Sequence, residues 1–172
     1  MTCPLTGSRE NRIFVSDQRQ SFMTAETEII EILRATKRPK IEDVIGFMEA
    51  SGYFTKPGGG HHKEEGGLAQ HCLEVYRVMK STSLTLPGDS MAVAAFFHDL
   101  GKVERNRGEH AARSLRILDG LGFQLTEDER FAIGHHHKNK ALREFRTPLR
   151  RSLSFADSVS TGWWKARHPR RH

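Results

Sequence analysis

Residues 91–102 read Met-Ala-Val-Ala-Ala-Phe-Phe-His-Asp-Leu-Gly-Lys, and this stretch decides the fold. Its first seven residues are apolar, which predicts a helix that is buried on all sides. His98 and Asp99 follow directly, so an imidazole and a carboxylate lie side by side where that helix ends. Buried ionisable groups are costly without compensation. A divalent cation such as Mn²⁺, Fe²⁺, Co²⁺, Ni²⁺ or Zn²⁺ suits this pair of ligand types.

Gly101 is expected to end this helix, because the backbone at a helix C-terminus commonly favours glycine. A single His-Asp pair is also compatible with a simpler interpretation, a capped helix end with a hydrogen-bonded core histidine. The rest of the chain therefore has to distinguish a metal site from ordinary packing.

Apolar residues recur at helical spacing on both sides of the central stretch. Helices are predicted over residues 24–38, 41–51, 68–80, 111–118, 127–137 and from 148 onward. Thr126 and Glu129 form a capping box, and Pro148 suits a first helical turn. The sequence has no strand alternation and no internal repeat, so the predicted fold class is all-α, a compact single-domain helical bundle.

Three regions are predicted along the 172 residues. Residues 1–22 have little periodicity and form an N-terminal extension. Residues 23–160 form the helical domain, and residues 161–172 form a basic C-terminal tail. Within the domain, residues 53–67 contain Pro57, five glycines and the pair His61-His62. This composition predicts a loop, and a loop of that size in a compact domain is often functional.

The net charge of +6 is concentrated near the C-terminus. Residues 138–172 contain ten Lys or Arg against two acidic residues, a balance of +8. This region is a candidate electrostatic footprint for nucleic acid or a phosphorylated substrate, and a solvated surface is an equally good interpretation. Trp163 and Trp164 adjoin these charges, and they either stack on bases or pack the tail onto the domain.

Two cysteines, Cys3 and Cys72, belong to no paired motif, which suits a reducing compartment. No apolar run approaches the ~20 residues that cross a bilayer. We therefore expect a cytoplasmic protein with no membrane partner. The sequence does not indicate an oligomeric state.

Candidate metal ligands occur on one predicted helix after another, a distribution that packing alone explains poorly. They are His71, His98, Asp99, His110, His136 or its neighbours, and Asp157.

This pattern resembles the HD-domain superfamily of metal-dependent phosphohydrolases. The family has a His on one helix, a His-Asp pair on a later helix and an Asp further along. The matching blocks are Gly-Gly-Leu-Ala-Gln-His-Cys-Leu-Glu-Val at 66–75, His-Asp-Leu-Gly-Lys at 98–102 and Ala-Asp-Ser at 156–158. The resemblance covers about residues 60–160, the motif-bearing core.

Further histidines resemble those that hold a second metal in the binuclear branch of the family. They are His110 and a pair within His135-His136-His137, which the distance from Ile133 places on His136 and His137. The resemblance implies a first divalent transition metal on His71, His98, Asp99 and Asp157. It implies a second metal on Asp99 as a bridge, His110 and His136, with His137 as a further candidate. His135 is then expected either at the surface or beside the ligands without binding the metal.

The resemblance also implies roles in catalysis and substrate binding. Asp99 and Lys102 are the expected catalytic residues, with Lys102 neutralising phosphate charge or orienting the bridging carboxylate. His61 and His62 resemble a pair near the substrate in some nucleotide- and RNA-directed members. Lys102, His61 and His62 are therefore the expected substrate-binding residues.

The implied function is hydrolysis of a phosphate ester by metal-activated water. The expected substrate is a nucleotide or a related small phosphoester. Two alternatives stay open, because fold and metal chemistry do not choose the substrate. One is a nucleic-acid-directed phosphodiesterase that uses the basic C-terminal region, and the other is a non-catalytic metal-containing sensor or binding module.

Overall fold

The computed structural model describes residues 23–104, 108–137 and 147–168. In these residues it has seven α-helices, one short 3₁₀ helix and no strand, which confirms the all-α class. The predicted extension at residues 1–22 lies outside the described part. The helices are α1 (Ala25–Ala35), α2 (Ile41–Ala50), α3 (Gly67–Thr82), α4 (Gly88–Phe97), the 3₁₀ helix (Leu100–Val103), α5 (His110–Gly120), α6 (Glu127–Gly134) and α7 (Pro148–Arg167).

Local signals in the sequence determine where several helices begin. The side chain of Thr24 caps α1, and the predicted capping box at α6 is present with both of its hydrogen bonds. Thr147 caps α7, and Pro148 is its first residue. These caps satisfy backbone N–H groups that have no partner inside the helix.

Helix α4 forms the centre of the domain, as its apolar sequence predicts. All seven residues from Met91 to Phe97 are buried, and the helix packs against α1, α3, α6 and α7. Apolar clusters lie on both of its sides, one formed mainly with α1, α2 and α3 and the other with α3 and α7. The end of α4 is consequently enclosed by helices, and the residues that follow it enter a crowded interior.

The prediction that Gly101 ends the central helix is wrong. Helix α4 ends at Phe97 with His98 as its C-cap, and Gly101 lies inside the following 3₁₀ helix. Its role is close packing, because a Cβ atom there would lie 2.2 Å from the carbonyl oxygen of His110. The backbone N–H of Gly101 donates to Ser114 Oγ at 2.8 Å. Glycine thus allows α5 to approach the 3₁₀ helix and brings His110 next to Asp99.

Two other boundaries differ from the sequence expectation. Helix α6 ends at Gly134 rather than continuing through the histidine run, so His136 and His137 lie beyond the helix. Helix α7 continues to Arg167, so residues 161–167 extend the last helix and the predicted domain limit at residue 160 falls inside it. No described helix has both the length and the apolar character needed to cross a membrane.

Candidate metal centre

The fold brings all of the predicted metal ligands to one place at the end of α4. They come from five helices or helix ends: His71 from α3, His98 and Asp99 after α4, His110 at the start of α5, His136 and His137 after α6, and Asp157 from α7. His71 and His98 are fully buried, and Asp99 is 1% exposed. Most of these residues lie far apart in the sequence, so tertiary packing brings them together.

Asp99 lies between two groups of histidines. Its Oδ2 atom is 3.6 Å from Nε2 of His71 and 3.4 Å from Nε2 of His98. Its Oδ1 atom is 3.2 Å from Nε2 of His110. The two oxygens of one carboxylate therefore face different imidazoles, which is the arrangement that a bridging ligand requires.

The remaining ligand candidates join one group or the other. Nε2 of His71 is 3.2 Å from Asp157 Oδ1. On the opposite side, Nε2 of His110 is 3.3 Å from Nε2 of His136 and 2.9 Å from Nε2 of His137. The clusters His71-His98-Asp99 and His110-His136-His137 each have ligand atoms close enough to hold a metal ion.

Hydrogen bonds orient the imidazoles so that Nε2 faces the centre. Nδ1 of His98 donates to the carbonyl of Ala95 at 2.9 Å, and Nδ1 of His136 donates to the carbonyl of Ile133 at 2.8 Å. With the proton on Nδ1, the lone pair of each Nε2 is available to a ligand. Histidines that bind metals are commonly fixed in this way through their second ring nitrogen.

Three of the central atoms have no hydrogen-bond partner among the described residues. They are Nε2 of His71, Nε2 of His98 and Oδ1 of Asp99. Buried polar atoms are nearly always satisfied, and those that are not require an explanation such as an ion. Neutral imidazole and carboxylate donors fit a divalent transition metal, so the residues present suit such a group.

The electrostatics favour the protonation states that metal ligands need. Burial lowers the pKa of His136 to about 3 and that of His110 to about 4, so both rings are neutral at neutral pH. Burial also lowers the pKa of His98. For Asp99 burial has the opposite effect, but His98 and Lys102 outweigh it and hold the pKa of this carboxyl well below its ordinary value.

A family model for the HD domain matches residues 68–162 of the chain. This chain belongs to the HD domain family. Members of this family are generally hydrolases and bind divalent metals. The match includes every residue of the predicted ligand set, from His71 to Asp157, but not the loop pair His61-His62. No curated protein and no solved structure matches the chain.

In this HD domain, Lys102 contacts the central carboxylate directly. Its Nζ atom donates to Asp99 Oδ2 at 2.5 Å, and the residue is 9% exposed. Burial opposes the charged form of Lys102, but Asp99 outweighs it and raises the pKa of the ammonium group. Lys102 is therefore a fixed positive charge beside the carboxylate that faces both histidine groups.

The loop pair His61-His62 also reaches the centre of the HD domain. The ring centroids of His61 and His71 are 4.6 Å apart, and Nδ1 of His61 is 2.9 Å from Nδ1 of His62. His61, His62 and His71 form a third cluster whose ligand atoms are close enough for a metal. Gly67 permits this approach of the loop to α3, because a Cβ there would lie 2.0 Å from the carbonyl oxygen of His62.

Sequence reasoning missed two residues that orient these histidines. Glu74 Oε2 accepts a hydrogen bond from Ser160 Oγ at 2.8 Å and lies 3.1 Å from Nε2 of His62. Ser160 Oγ is in turn 3.1 Å from Nδ1 of His71. Glu74 is 9% exposed and lies one turn after His71 on the same helix. The sequence signal that could have identified Glu74 is a carboxylate among the buried residues of α3.

The structure distinguishes between the members of the histidine run and between the two tryptophans by their burial. His136 is 2% exposed, His135 is exposed at the surface, and His137 is exposed but contacts His110. The ring of Trp164 lies 6.0 Å from that of His62, whereas Trp163 is 49% exposed. Only Trp164 therefore packs against the loop beside the centre.

Proposed function

We propose that this HD domain is a metal-dependent phosphohydrolase that hydrolyses a nucleotide or a related small phosphoester with metal-activated water. The position of Asp99 carries this proposal. Its two oxygens face His71 and His98 on one side and His110 on the other, at 3.2–3.6 Å. This arrangement supports a site for two divalent metals. A hydrolytic function agrees with the family, whose members are generally hydrolases.

The proposed ligands divide between two positions. The first metal would be held by His71, His98, Asp99 and Asp157, and the second by Asp99, His110, His136 and His137. Such metal ions supply an activated water nucleophile and polarise phosphoryl oxygens. The neutral imidazoles and ionised carboxylates described above are the forms that bind them.

The other residues of the site bind and orient the reacting groups in this proposal. Lys102 and Asp99 are the catalytic residues: the ammonium group orients the carboxylate and offsets negative charge on the phosphate. His61 lies at the side of the centre that the loop covers, where it would contact the substrate. His62 fixes His61 through their Nδ1 contact and is itself held by Glu74.

The tests are metal analysis and a hydrolysis screen. The full chain is purified without added metal or a metal-affinity tag, and Mn, Fe, Co, Ni and Zn are counted per chain. We expect close to two transition metals and hydrolysis of nucleotides or phosphodiesters with that metal. Asp99→Ala should remove both metals and the activity, whereas Asp43→Ala, at an exposed ion pair on α2, should leave both unchanged.

Other results would select other hypotheses. One metal per chain would favour a mononuclear nucleotidase, and unchanged metal content and activity in Asp99→Ala would contradict the whole scheme. Two metals without turnover of any phosphate ester would favour the non-catalytic sensor or binding module. We further propose that the protein is cytoplasmic and that its partner is a phosphorylated small molecule. Its functional domain in this proposal is residues 23–160 together with the remainder of α7 to Arg167.

A further inference from the structure

A surface cleft of about 520 Å³ lies between the histidine loop and the end of α7. Gly60 and Lys63 line it from the loop, and Trp164, Lys165 and His168 line it from α7. Gly60 directly precedes His61, whose ring is 4.6 Å from that of His71. The cleft therefore opens beside the proposed metal centre, although none of its lining residues belongs to the proposed ligand set.

The charge of the cleft suits an anion. Lys63 and Lys165 approach it from different elements, both are exposed, and neither has an ion-pair partner within residues 23–104, 108–137 and 147–168. Lys165 also lies in the last turn of α7, where a cation offsets the helix dipole. Lys63 has no such role, because it lies on the loop. The pair presents two cationic groups across one opening, and the described lining residues include no carboxylate, although Glu64 lies behind Trp164 and accepts its indole N–H.

The aromatic wall of the cleft is held in place and has an open outer surface. Rings of Trp164 and His168 are stacked, with centroids 4.7 Å apart and planes 23° from parallel. The indole N–H donates to Glu64 Oε2 at 3.3 Å, and the ring lies beside His62. His168 is exposed and lines the cleft together with Trp164, so this two-ring stack is accessible from the cleft. A nucleic acid base can extend such a stack.

We propose that this cleft, defined by Gly60, Lys63, Trp164, Lys165 and His168, binds a neighbouring nucleotide unit of a single-stranded oligonucleotide substrate. Lys63 and Lys165 contact its phosphates, and a base stacks on the Trp164–His168 pair. The phosphate to be hydrolysed lies at the metal centre next to the cleft. This inference rests on the metal-dependent hydrolysis proposed above, and it selects the nucleic-acid-directed alternative, with short single strands as the substrate.

The test compares two substrates on the metal-loaded full chain. One is a 5′-phosphorylated trinucleotide, prepared as RNA and as DNA, and the other is bis(p-nitrophenyl) phosphate, which has a single phosphate and no base. The variants are Lys63→Gln with Lys165→Gln, His168→Ala, and a charge-matched control, Lys37→Gln with Lys80→Gln. The control lysines are exposed and lie outside the cleft lining, Lys37 two residues after α1 and Lys80 in the last turn of α3.

We expect the cleft double variant to lower the ratio of kcat/KM for the trinucleotide to kcat/KM for bis(p-nitrophenyl) phosphate at least fivefold. The control should keep the wild-type ratio. Each lysine that contacts a phosphate of a single strand contributes about 0.7 to the slope of log affinity against log salt. Loss of both contacts therefore lowers the slope by about 1.4, which is a roughly sevenfold change in relative affinity between 50 and 200 mM salt. His168→Ala should weaken trinucleotide binding without changing that slope.

An unchanged ratio and an unchanged salt slope in the cleft double variant would overturn the proposal. The proposal would also be overturned if the two lysine substitutions reduced only the turnover of nucleoside di- or triphosphates. Turnover of either the RNA or the DNA strand, with the expected loss in the variant, supports it. If the wild type hydrolyses neither substrate and no nucleotide in the screen described above, the proposed function fails. Fluorescence anisotropy with a labelled trinucleotide then tests binding at the cleft separately from hydrolysis. Salt-dependent binding that the double variant loses would still support the proposal. No binding by the wild type would overturn it.

Discussion

Lys102→Met tests whether Lys102 and a metal compensate the same buried carboxylate. Lys102 donates to Asp99 Oδ2 at 2.5 Å, and Asp99 is 1% exposed. Methionine keeps a similar shape but leaves the carboxylate without its nearest cation. Removing one partner of a buried ion pair costs roughly 3–5 kcal/mol. For a chain of this size each kcal/mol corresponds to about 2–4 °C in Tm, so the metal-free variant should melt about 6–20 °C lower.

Saturation with Mn²⁺ should reduce this difference. Three buried atoms of the centre, including Oδ1 of Asp99, have no hydrogen-bond partner in the part of the chain that the structure describes. A metal cation beside Asp99 would supply positive charge at the same carboxylate that the ammonium group of Lys102 stabilises. By linkage, whatever part of the stability difference disappears on metal binding must reappear as tighter metal binding by the variant. Lys102→Met is thus expected to be less stable without metal and to bind Mn²⁺ more tightly.

The assay is urea denaturation with and without excess Mn²⁺, combined with Mn²⁺ titration of both proteins. Lys40→Met is the matched control, because Lys40 and Asp43 form a pair with the same three-residue spacing but with side chains 59% and 51% exposed. Exposed pairs contribute about 0–1 kcal/mol, so this variant should change little under either condition. If Lys102→Met is destabilised equally with and without Mn²⁺, and its Mn²⁺ affinity is unchanged, Lys102 and the metal ion do not stabilise the same carboxylate.

Three further predictions follow from the same geometry. His110→Ala should reduce the metal content from two ions to one, as measured by elemental analysis, because His110 belongs only to the second proposed position; two remaining ions would contradict that division. Without metal, the free energy of unfolding should fall as pH decreases from about 6.5 to about 4. Unfolded histidines take up protons near 6.5, whereas burial lowers the pKa of folded His110 to about 4 and that of His136 to about 3. Urea titrations across this range check the sign, and constant stability would show that these rings are not held neutral. Gly101→Ala should cost at least about 1–3 kcal/mol, because its Cβ would lie 2.2 Å from the carbonyl oxygen of His110. The variant should also bind the second metal ion more weakly. Wild-type stability and metal content in this variant would show that α5 can move to accommodate the added Cβ.

The sequence indicates most of the fold because its local signals agree with one another. Seven consecutive apolar residues predict a buried central helix, and the capping box at Thr126 and the proline at position 148 mark the starts of α6 and α7. The His-Asp pair after the central helix, with histidines on neighbouring helices, leads to the HD domain family. These features depend on residue type and short spacing, which a sequence displays directly.

Some features could not be predicted because they depend on which helix faces meet. The position of α5 requires a residue without Cβ at Gly101, and only the close approach of His110 reveals that requirement. Glu74 was missed because its partners, His62 and Ser160, are 12 and 86 residues away. Arg167 also donates to Glu74, at 2.8 Å, which ties the predicted tail to α3.

The sequence by itself determined that this chain is an all-α protein with the HD pattern of histidines and aspartates. Only the tertiary structure decided how they are arranged. It turns His136 inward and His135 outward, and it places the two oxygens of Asp99 toward different imidazoles. The physical reason is that helical periodicity fixes the face on which each side chain lies. Which faces then come together is set by the packing of α3, α5, α6 and α7 around the end of α4.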